Sequence, residues 1–161
     1  MDSEGVVELR RKLTLDELQT AYEAMVMQLE RMAASGHPLG VVVFPPNVLP
    51  FLTALNEAGQ LQGFTSRTTG ELIGIIGYSF EPVWWTNGEC CLKEQMVVCV
   101  DPECHGFGRV ALAWLEVQAE VNNCGIIETG SAFSENPRLL ENLYVRKGGY
   151  QFSYPNFVKV R

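Results

Sequence analysis

The stretch from Glu94 to Ala111, EQMVVCVDPECHGFGRVA, constrains the fold of this chain more than any other segment. It runs from an apolar strand through a proline turn into a loop that contains Gly106 and Gly108 and opens a helix. Backbone N–H groups at a helix start have no intrahelical acceptor and carry the positive end of the helix dipole. Because glycine lets the backbone approach a ligand closely and adopt positive φ, this order of elements predicts a site for a phosphate group.

Local signals predict four helices. Thr14 and Glu17 form a capping-box pattern, and apolar residues at helical spacing then indicate a helix that continues to about Ala34. Asn47 can cap a short helix that runs through Ala58, and Pro137 suits the first turn of a helix that reaches about Lys147. The helix after Gly108 ends near Asn123, and its spacing predicts one apolar face, formed by Val110, Trp114, Val117 and Val121.

The strand pattern predicts a mixed sheet. Predicted strands cover Val6 to Leu13, Leu39 to Phe44, Leu61 to Arg67, Leu72 to Phe80, Cys90 to Val100, Ile126 to Phe133 and Tyr150 to Val160. The turn signal Asn87-Gly88 favours a hairpin and an antiparallel meander. The later order of strand, helix and strand implies a crossover and one parallel pair. Trp84 and Trp85 lie near the hairpin turn, either in the core, which we prefer, or on a rim that lines a substrate.

The glycine loop resembles the acyl-CoA loop of the GNAT superfamily of N-acetyltransferases, which reads Arg or Gln, two residues, Gly, one residue, and Gly or Ala. The corresponding positions here are His105, Gly106, Phe107, Gly108, Arg109 and Val110. Gly108 matches the central glycine, whereas His105 replaces Arg or Gln and Val110 replaces Gly or Ala. The resemblance extends in order from about Glu71 to the C terminus, about half the chain. A looser similarity to phage-encoded members is also present.

The resemblance implies an α+β (mixed α/β) fold of the GNAT-like acyl-CoA N-acyltransferase type. Such a fold has a mostly antiparallel central sheet with one parallel, splayed strand pair, flanked by helices. It also implies acetyl-CoA as a cosubstrate. The splay should separate the segments Val97 to Val100 and Ile126 to Ser131. The backbone of Val98, Cys99 and Val100 should then pair with the pantetheine arm of the cosubstrate.

Two residues are candidates for catalysis. Glu94 precedes the loop by eleven positions, the offset at which some histone-type members of the family place a general base. Strand alternation predicts Glu94 on the same side as Met96 and Val98, although it can equally be a solvated charge beside Lys93. Tyr144, in ENLYVRKGGY, resembles the family tyrosine whose hydroxyl can protonate the CoA sulfur. The alternative is an aromatic residue packed in the core.

Three further residues are candidates for contacts with the cosubstrate. Asn136 resembles a family asparagine that contacts the cofactor, but it precedes Tyr144 by eight positions rather than seven and can instead cap a helix. Arg109 offers a charge-assisted donor to phosphate, and His105 would do so when protonated. Each of these two can also be a solvated surface residue.

Composition fits one domain over residues 1–161. The chain is 47% hydrophobic, which argues against disorder, and it has no apolar run long enough to cross a bilayer. The N terminus lacks the pattern of a secretory signal, so we expect a cytoplasmic protein. Five cysteines in an irregular arrangement favour reduced, buried thiols, and their spacing with His105 does not supply the paired ligands of a metal site.

Charge and motifs narrow the function classes. A formal net charge of −7 disfavours nucleic acid and suits a cationic amine, on either a small molecule or a protein. No Gly-Lys-Ser or Gly-Lys-Thr follows the glycines, which argues against a nucleotide-binding P-loop. We therefore expect an acetyl-CoA-dependent N-acetyltransferase that acts on a primary amine by direct attack. The alternative is a catalytically inactive GNAT-like module that binds a protein partner or only CoA, because the branched Val110 can obstruct the pyrophosphate. If exposed, Trp84 and Trp85 would be natural contacts in a homodimer.

Overall fold

In the part of the chain that the structure describes, five strands form a sheet flanked by helices. The computed structural model describes residues 5–37, 43–101, 106–130 and 137–151. The strands are β1 (Val6–Glu8), β2 (Leu61–Ser66), β3 (Leu72–Pro82), β4 (Cys90–Cys99) and β5 (Cys124–Glu128), and the helices are α1 (Leu15–Ala34), α2 (Val48–Glu57), α3 (Phe107–Val121) and α4 (Pro137–Glu141). A 3₁₀ turn (Pro45–Asn47) precedes α2, and a π-helical turn (Asn142–Lys147) follows α4. None of the helices in these ranges is long and apolar enough to span a membrane.

The strands follow one another across the sheet in chain order. Pairing is antiparallel from β1 to β4 and parallel between β4 and β5. The meander and the single parallel pair confirm the predicted mixed sheet. Helix α3 connects the two parallel strands, since a crossover of this kind needs a segment long enough to return along the sheet.

Helix α1 begins where the sequence predicts. The Thr14 side chain accepts a hydrogen bond from the Glu17 N–H at 3.3 Å, and the Glu17 side chain accepts one from the Thr14 N–H at 2.8 Å. Arg11 donates to both carboxylate oxygens of Glu17 at 2.7 and 2.8 Å and lowers the pKa of Glu17 to about 2. This reciprocal cap satisfies helix donors that would otherwise have no acceptor.

Two apolar clusters cover the two faces of the sheet. On one face, α1 and α2 pack against β2, β3 and β4 through residues that include Leu18, Met32, Leu52, Ile75 and Val98. On the other face, α3 packs through residues that include Phe64, Ile76, Leu92, Phe107 and Leu115. Burial on both faces explains why the central strands read as nearly continuous apolar runs in the sequence.

A β-bulge interrupts β4 in its middle. Tyr78 pairs with Glu94 and Gly77 pairs with Met96, so Gln95 has no partner on β3. The extra residue reverses the alternation of side chains. Leu92, before the bulge, lies in the α3 cluster, whereas Met96 and Val98, after it, lie in the cluster with α1 and α2.

Several predicted elements differ from the structure. The first strand ends at Glu8 rather than Leu13, and β5 is Cys124–Glu128 rather than Ile126 to Phe133. Val43 and Phe44 are not in a strand, and the rest of the strand predicted from Leu39 lies outside the described residues. The last predicted strand lies outside them too, apart from Tyr150 and Gln151, which have no strand structure. The first of these strands was predicted from a loose alternation of residues and the others from apolar content. Neither signal shows whether a neighbouring strand is available.

The predicted burial of three apolar groups needs correction. Trp84 and Trp85 are 86% and 71% exposed, because they lie in the β3–β4 turn, where the two rings pack against each other. Val117 and Val121 are exposed, since Val117 lies about 200° around α3 from the fully buried Leu115. Of the cysteines, all free thiols in the described part of the chain, Cys91 is buried as predicted, but Cys99 is exposed.

Candidate active site

The parallel strands β4 and β5 separate in the middle of β4. Their pairing ends at Lys93 opposite Glu128, while β4 continues to Cys99. From Glu94 onward, β4 therefore has no strand partner on its β5 side among the described residues. The separation begins at the bulge, where local twist increases. It starts earlier than predicted, at Glu94 rather than Val97, and Ser131 lies outside the described residues.

The open edge of β4 exposes backbone hydrogen-bonding groups. The Val100 N–H donates to the Ile73 carbonyl on β3 at 2.7 Å. Because backbone groups alternate in direction along a strand, Val98 also points towards β3, whereas Val97 and Cys99 point to the open edge. Of the three residues predicted to pair with a pantetheine arm, Cys99 has this orientation. Val97 has it too, whereas the backbone groups of Val98 and Val100 point towards β3.

The glycine loop ends at the start of α3. Gly106 caps the helix with a φ of 108°, a left-handed conformation that favours glycine, and its carbonyl accepts from the Arg109 N–H at 2.9 Å. The N–H groups of Phe107 and Gly108 have no intrahelical acceptor at these positions. A Cβ on Gly108 would lie 2.9 Å from the Leu143 side chain, so glycine allows the π-helical turn to approach the loop.

The loop side chains divide into core and surface. Phe107 is 2% exposed and packs under Gly74, so its backbone alone can reach a ligand. Val110 is partly buried against the α3 cluster, and Arg109 is exposed. His105 and Asn136 lie outside the described residues, so their predicted contacts stay predictions.

Glu94 and Tyr144 meet at the point where β4 and β5 separate. The Tyr144 hydroxyl donates a hydrogen bond to Oε2 of Glu94. Burial raises the pKa of Glu94 to about 7, and the hydrogen bond from Tyr144 acts in the opposite direction. Burial, and then the charge and hydrogen bond of Glu94, raise the pKa of Tyr144 far above its ordinary value. The site thus holds a carboxyl group that titrates near neutrality beside a hydroxyl that keeps its proton.

The side of the sheet on which Glu94 lies was predicted incorrectly. Glu94 pairs with Tyr78, whose ring packs 5.0 Å from that of Trp114 on α3. Paired residues share a face, so Glu94 faces α3 and not the side of Met96 and Val98. The bulge at Gln95 causes this reversal, and it is what brings the carboxylate within reach of Tyr144.

Tyr150 is part of the same cluster and was missed as a site residue. Its ring lies 5.3 Å from the ring of Tyr144 at an angle of 64°, and its N–H donates to the Tyr144 carbonyl at 3.1 Å. Its hydroxyl is buried and has no hydrogen-bond partner among the described residues. Burial and the charges of Glu116 and Glu94 raise its pKa to about 12. The signal in the sequence was a second tyrosine directly after Gly148-Gly149.

Gly148 allows this tyrosine pair to form. A Cβ at this position would lie 2.8 Å from the Tyr150 ring and 2.9 Å from the Tyr144 carbonyl. The chain can therefore fold back sharply after the π-helical turn, a type of turn that often occurs at functional sites. Within the described ranges, no group of three or more His, Cys, Asp or Glu side chains is placed to hold a metal ion.

Comparison with known proteins identifies the fold. No protein-family model and no curated protein matches the sequence. Solved structures of GNAT acetyltransferases do match, so the chain has the predicted GNAT acyl-CoA N-acyltransferase fold. The similarity to phage-encoded members stays a prediction.

Three of these structures illustrate the similarity. A possible acetyltransferase from Clostridium difficile 630 has a TM-score of 0.66 and 15% identity, with 98% of each chain covered. A ribosomal-protein-alanine N-acetyltransferase from Brucella melitensis biovar Abortus 2308 has a TM-score of 0.65 and 13% identity, over 97% of this chain and 99% of that one. A predicted acetyltransferase with acetyl-CoA from Clostridium acetobutylicum has a TM-score of 0.61 and 13% identity, over 97% and 96%.

Proposed function

We propose that this protein is an acetyl-CoA-dependent N-acetyltransferase that transfers the acetyl group to a primary amine by direct attack. The observation that carries the proposal is the contact of Tyr144 with Glu94 at the point where β4 and β5 separate. Similarity to acetyltransferases, one of them solved with acetyl-CoA, supports the reaction class. The acidic chain, with a net charge of −7, favours a cationic acceptor.

The residues at the open edge fit the donor. Backbone groups of Val97 and Cys99 can pair with an amide-bearing arm, and the N–H groups of Phe107 and Gly108 can hold a diphosphate at the positive end of α3. Arg109 is exposed beside them and can add a charge-assisted contact. The buried hydroxyl of Tyr150, which has no hydrogen-bond partner among the described residues, is a further position at which a polar ligand group can be bound. When bound, the donor supplies a thioester whose carbonyl carbon accepts the amine.

Glu94 and Tyr144 have complementary roles in moving protons. A carboxyl group with a pKa of about 7 is largely ionised above neutral pH and can accept a proton from the attacking amine. Tyr144, which keeps its proton, can donate it to the departing sulfur. Because the two groups are hydrogen-bonded, the proton gained by Glu94 can then return to Tyr144. The net result is transfer of one proton from the amine to the thiol.

The orientation of Val110 weakens the competing function. The case for a catalytically inactive module rested on a branched side chain that blocks the loop. Val110 packs against the α3 cluster instead, so this obstruction no longer argues for loss of catalysis.

The experiment that tests the proposal is an acetyl-transfer assay with acetyl-CoA and a panel of primary amines. Release of the CoA thiol should depend on both the amine and the enzyme. Tyr144→Phe should bind acetyl-CoA as the wild type does but turn over about 10² to 10⁴ times more slowly, the usual contribution of a positioned acid. Donor binding with no turnover on any amine would argue for the CoA-binding module instead.

A further inference from the structure

Cys90 and Cys124 lie side by side at the closed end of the parallel pair. They are the first residues of β4 and β5, and the register pairs them directly. Neighbouring strands are about 4.8 Å apart, which lies within the range of roughly 4.4 to 6.8 Å that disulfides span between Cα atoms. The Cys90 side chain is also near enough to contribute to the raised pKa of Cys124. A bond between them therefore requires only a small local adjustment.

Both thiols are accessible, and the neighbouring cysteines are not equivalent to them. Cys90 and Cys124 are half-buried, whereas Cys91 is 6% exposed. Cys99 is exposed but lies at the opposite end of β4. The register also shifts between Cys90 and Cys91, which leaves Gly125 without a partner on β4. A glycine without a fixed pairing partner lets the start of β5 adjust its position.

We propose that Cys90 and Cys124 are a redox modification site. They react with a low-molecular-weight disulfide such as oxidised glutathione to form a reversible disulfide bond that joins β4 to β5. The site is separate from Glu94 and Tyr144, and its test does not depend on acetyl transfer.

The chemistry balances with one glutathione disulfide. The Cys90 thiolate attacks one of its sulfurs, which breaks the S–S bond, forms a mixed disulfide and releases one glutathione. Cys124 then loses its proton and attacks the Cys90 sulfur, which forms the protein disulfide and releases the second glutathione. Two protein thiols lose two electrons and two protons, and one small disulfide is reduced to two thiols.

The order of the two steps follows from the environment of Cys124. Burial raises the pKa of Cys124 to about 12, and the adjacent sulfur of Cys90 contributes to this shift. Cys124 therefore keeps its proton as long as Cys90 is an unmodified thiol. Once Cys90 is in the mixed disulfide, its contribution to that pKa is lost, and Cys124 becomes a better nucleophile.

The crosslink should stabilise the fold. It would close a chain segment that contains β4 and α3, the elements that carry Glu94 and the end of the glycine loop. Closing such a loop removes conformational freedom from the unfolded chain. For a chain of this length we expect the oxidised protein to melt roughly 5 to 10 °C higher than the reduced one.

The test incubates the reduced full-length protein with oxidised glutathione, blocks the remaining thiols by alkylation and measures the intact mass. The wild type should lose the mass of two hydrogen atoms and have three of its five cysteines alkylated, whereas a sample reduced with dithiothreitol before alkylation should have all five alkylated. Cys91→Ser and Cys99→Ser should form the same crosslink. Cys90→Ser and Cys124→Ser should stop at a mixed disulfide with glutathione, and their melting temperatures should not rise on oxidation.

Two results would overturn the proposal. One is a wild type that carries glutathione adducts but no internal crosslink. The other is a crosslink that survives in Cys90→Ser or Cys124→Ser, because it would involve a different pair.

Discussion

The raised pKa of Glu94 makes a quantitative prediction about stability. The folded protein holds this proton up to about pH 7, whereas the unfolded chain releases it near the ordinary value of 4.5. The contribution of Glu94 to stability should therefore be largest below the lower of these values and be lost as the pH rises through the higher one. At about 1.4 kcal/mol per pKa unit, the full effect is about 3 kcal/mol. Since Glu94 is only half-buried, solvent screening reduces our expectation to about 1 to 2 kcal/mol.

Glu94→Gln isolates this effect. Glutamine does not titrate and can still accept the Tyr144 hydrogen bond through its amide oxygen. The free energies of unfolding of the variant and the wild type are measured in urea at pH 4 and at pH 8. We expect the variant-minus-wild-type difference to be about 1 to 2 kcal/mol larger at pH 8 than at pH 4. The variant should also lose about 10² to 10⁴ in kcat, because the base is gone.

The control is Glu120→Gln, which removes an exposed carboxylate from α3. Its unfolding free energy should follow the wild-type pH dependence. If the curves for Glu94→Gln and the wild type also run parallel between pH 4 and pH 8, Glu94 is not the desolvated carboxyl group described above. If kcat is also unchanged, Glu94 is not the base.

Three other predictions concern the tyrosines and the loop. Tyr144→Phe removes the hydrogen bond that lowers the pKa of Glu94. The midpoint of its residual pH–rate profile should therefore move above the wild-type midpoint near pH 7. An unmoved midpoint would show that Tyr144 does not influence the titration of Glu94. Tyr150→Phe removes a buried hydroxyl with no partner in the described structure and should raise the free energy of unfolding by about 1 kcal/mol while it raises a substrate KM. Unchanged KM values would leave Tyr150 with a packing role alone. Gly106→Ala places a side chain at a φ of 108° and should raise the KM for acetyl-CoA. The control Gly70→Ala, which is strained at a φ of 75° in the β2–β3 turn, should not raise it. Equal KM values in the two variants would show that the loop does not bind the donor.

Features that depend on local sequence could be predicted. The capping box at Thr14 set the start of α1, and the Asn87-Gly88 turn separated β3 from β4. The position of the glycine loop also followed from the sequence, because a left-handed Gly106 before a helix is a local requirement. The resemblance that rested on this loop led to the fold and to Glu94 and Tyr144 as separate catalytic candidates, whereas their contact with each other was not predicted.

Features that depend on pairing between distant segments could not be predicted from the sequence. The bulge at Gln95 results from the register between β3 and β4, and no local signal marks it, yet it decides which face of the sheet Glu94 occupies. The exposure of Trp84 depends on how far the turn projects from the helices that cover the sheet. The contact between the rings of Tyr150 and Tyr144 depends on the sharp turn of the chain at Gly148, and their closeness in sequence did not show it.

The central claim, that the turn at Gly106 and the open edge of β4 hold an acyl-CoA, is tested most directly by calorimetric titration of acetyl-CoA into the full-length protein. The account predicts one molecule bound per chain, with an affinity that falls as salt screens the diphosphate contacts and a raised melting temperature in its presence. No heat of binding and no thermal stabilisation at millimolar acetyl-CoA would contradict it.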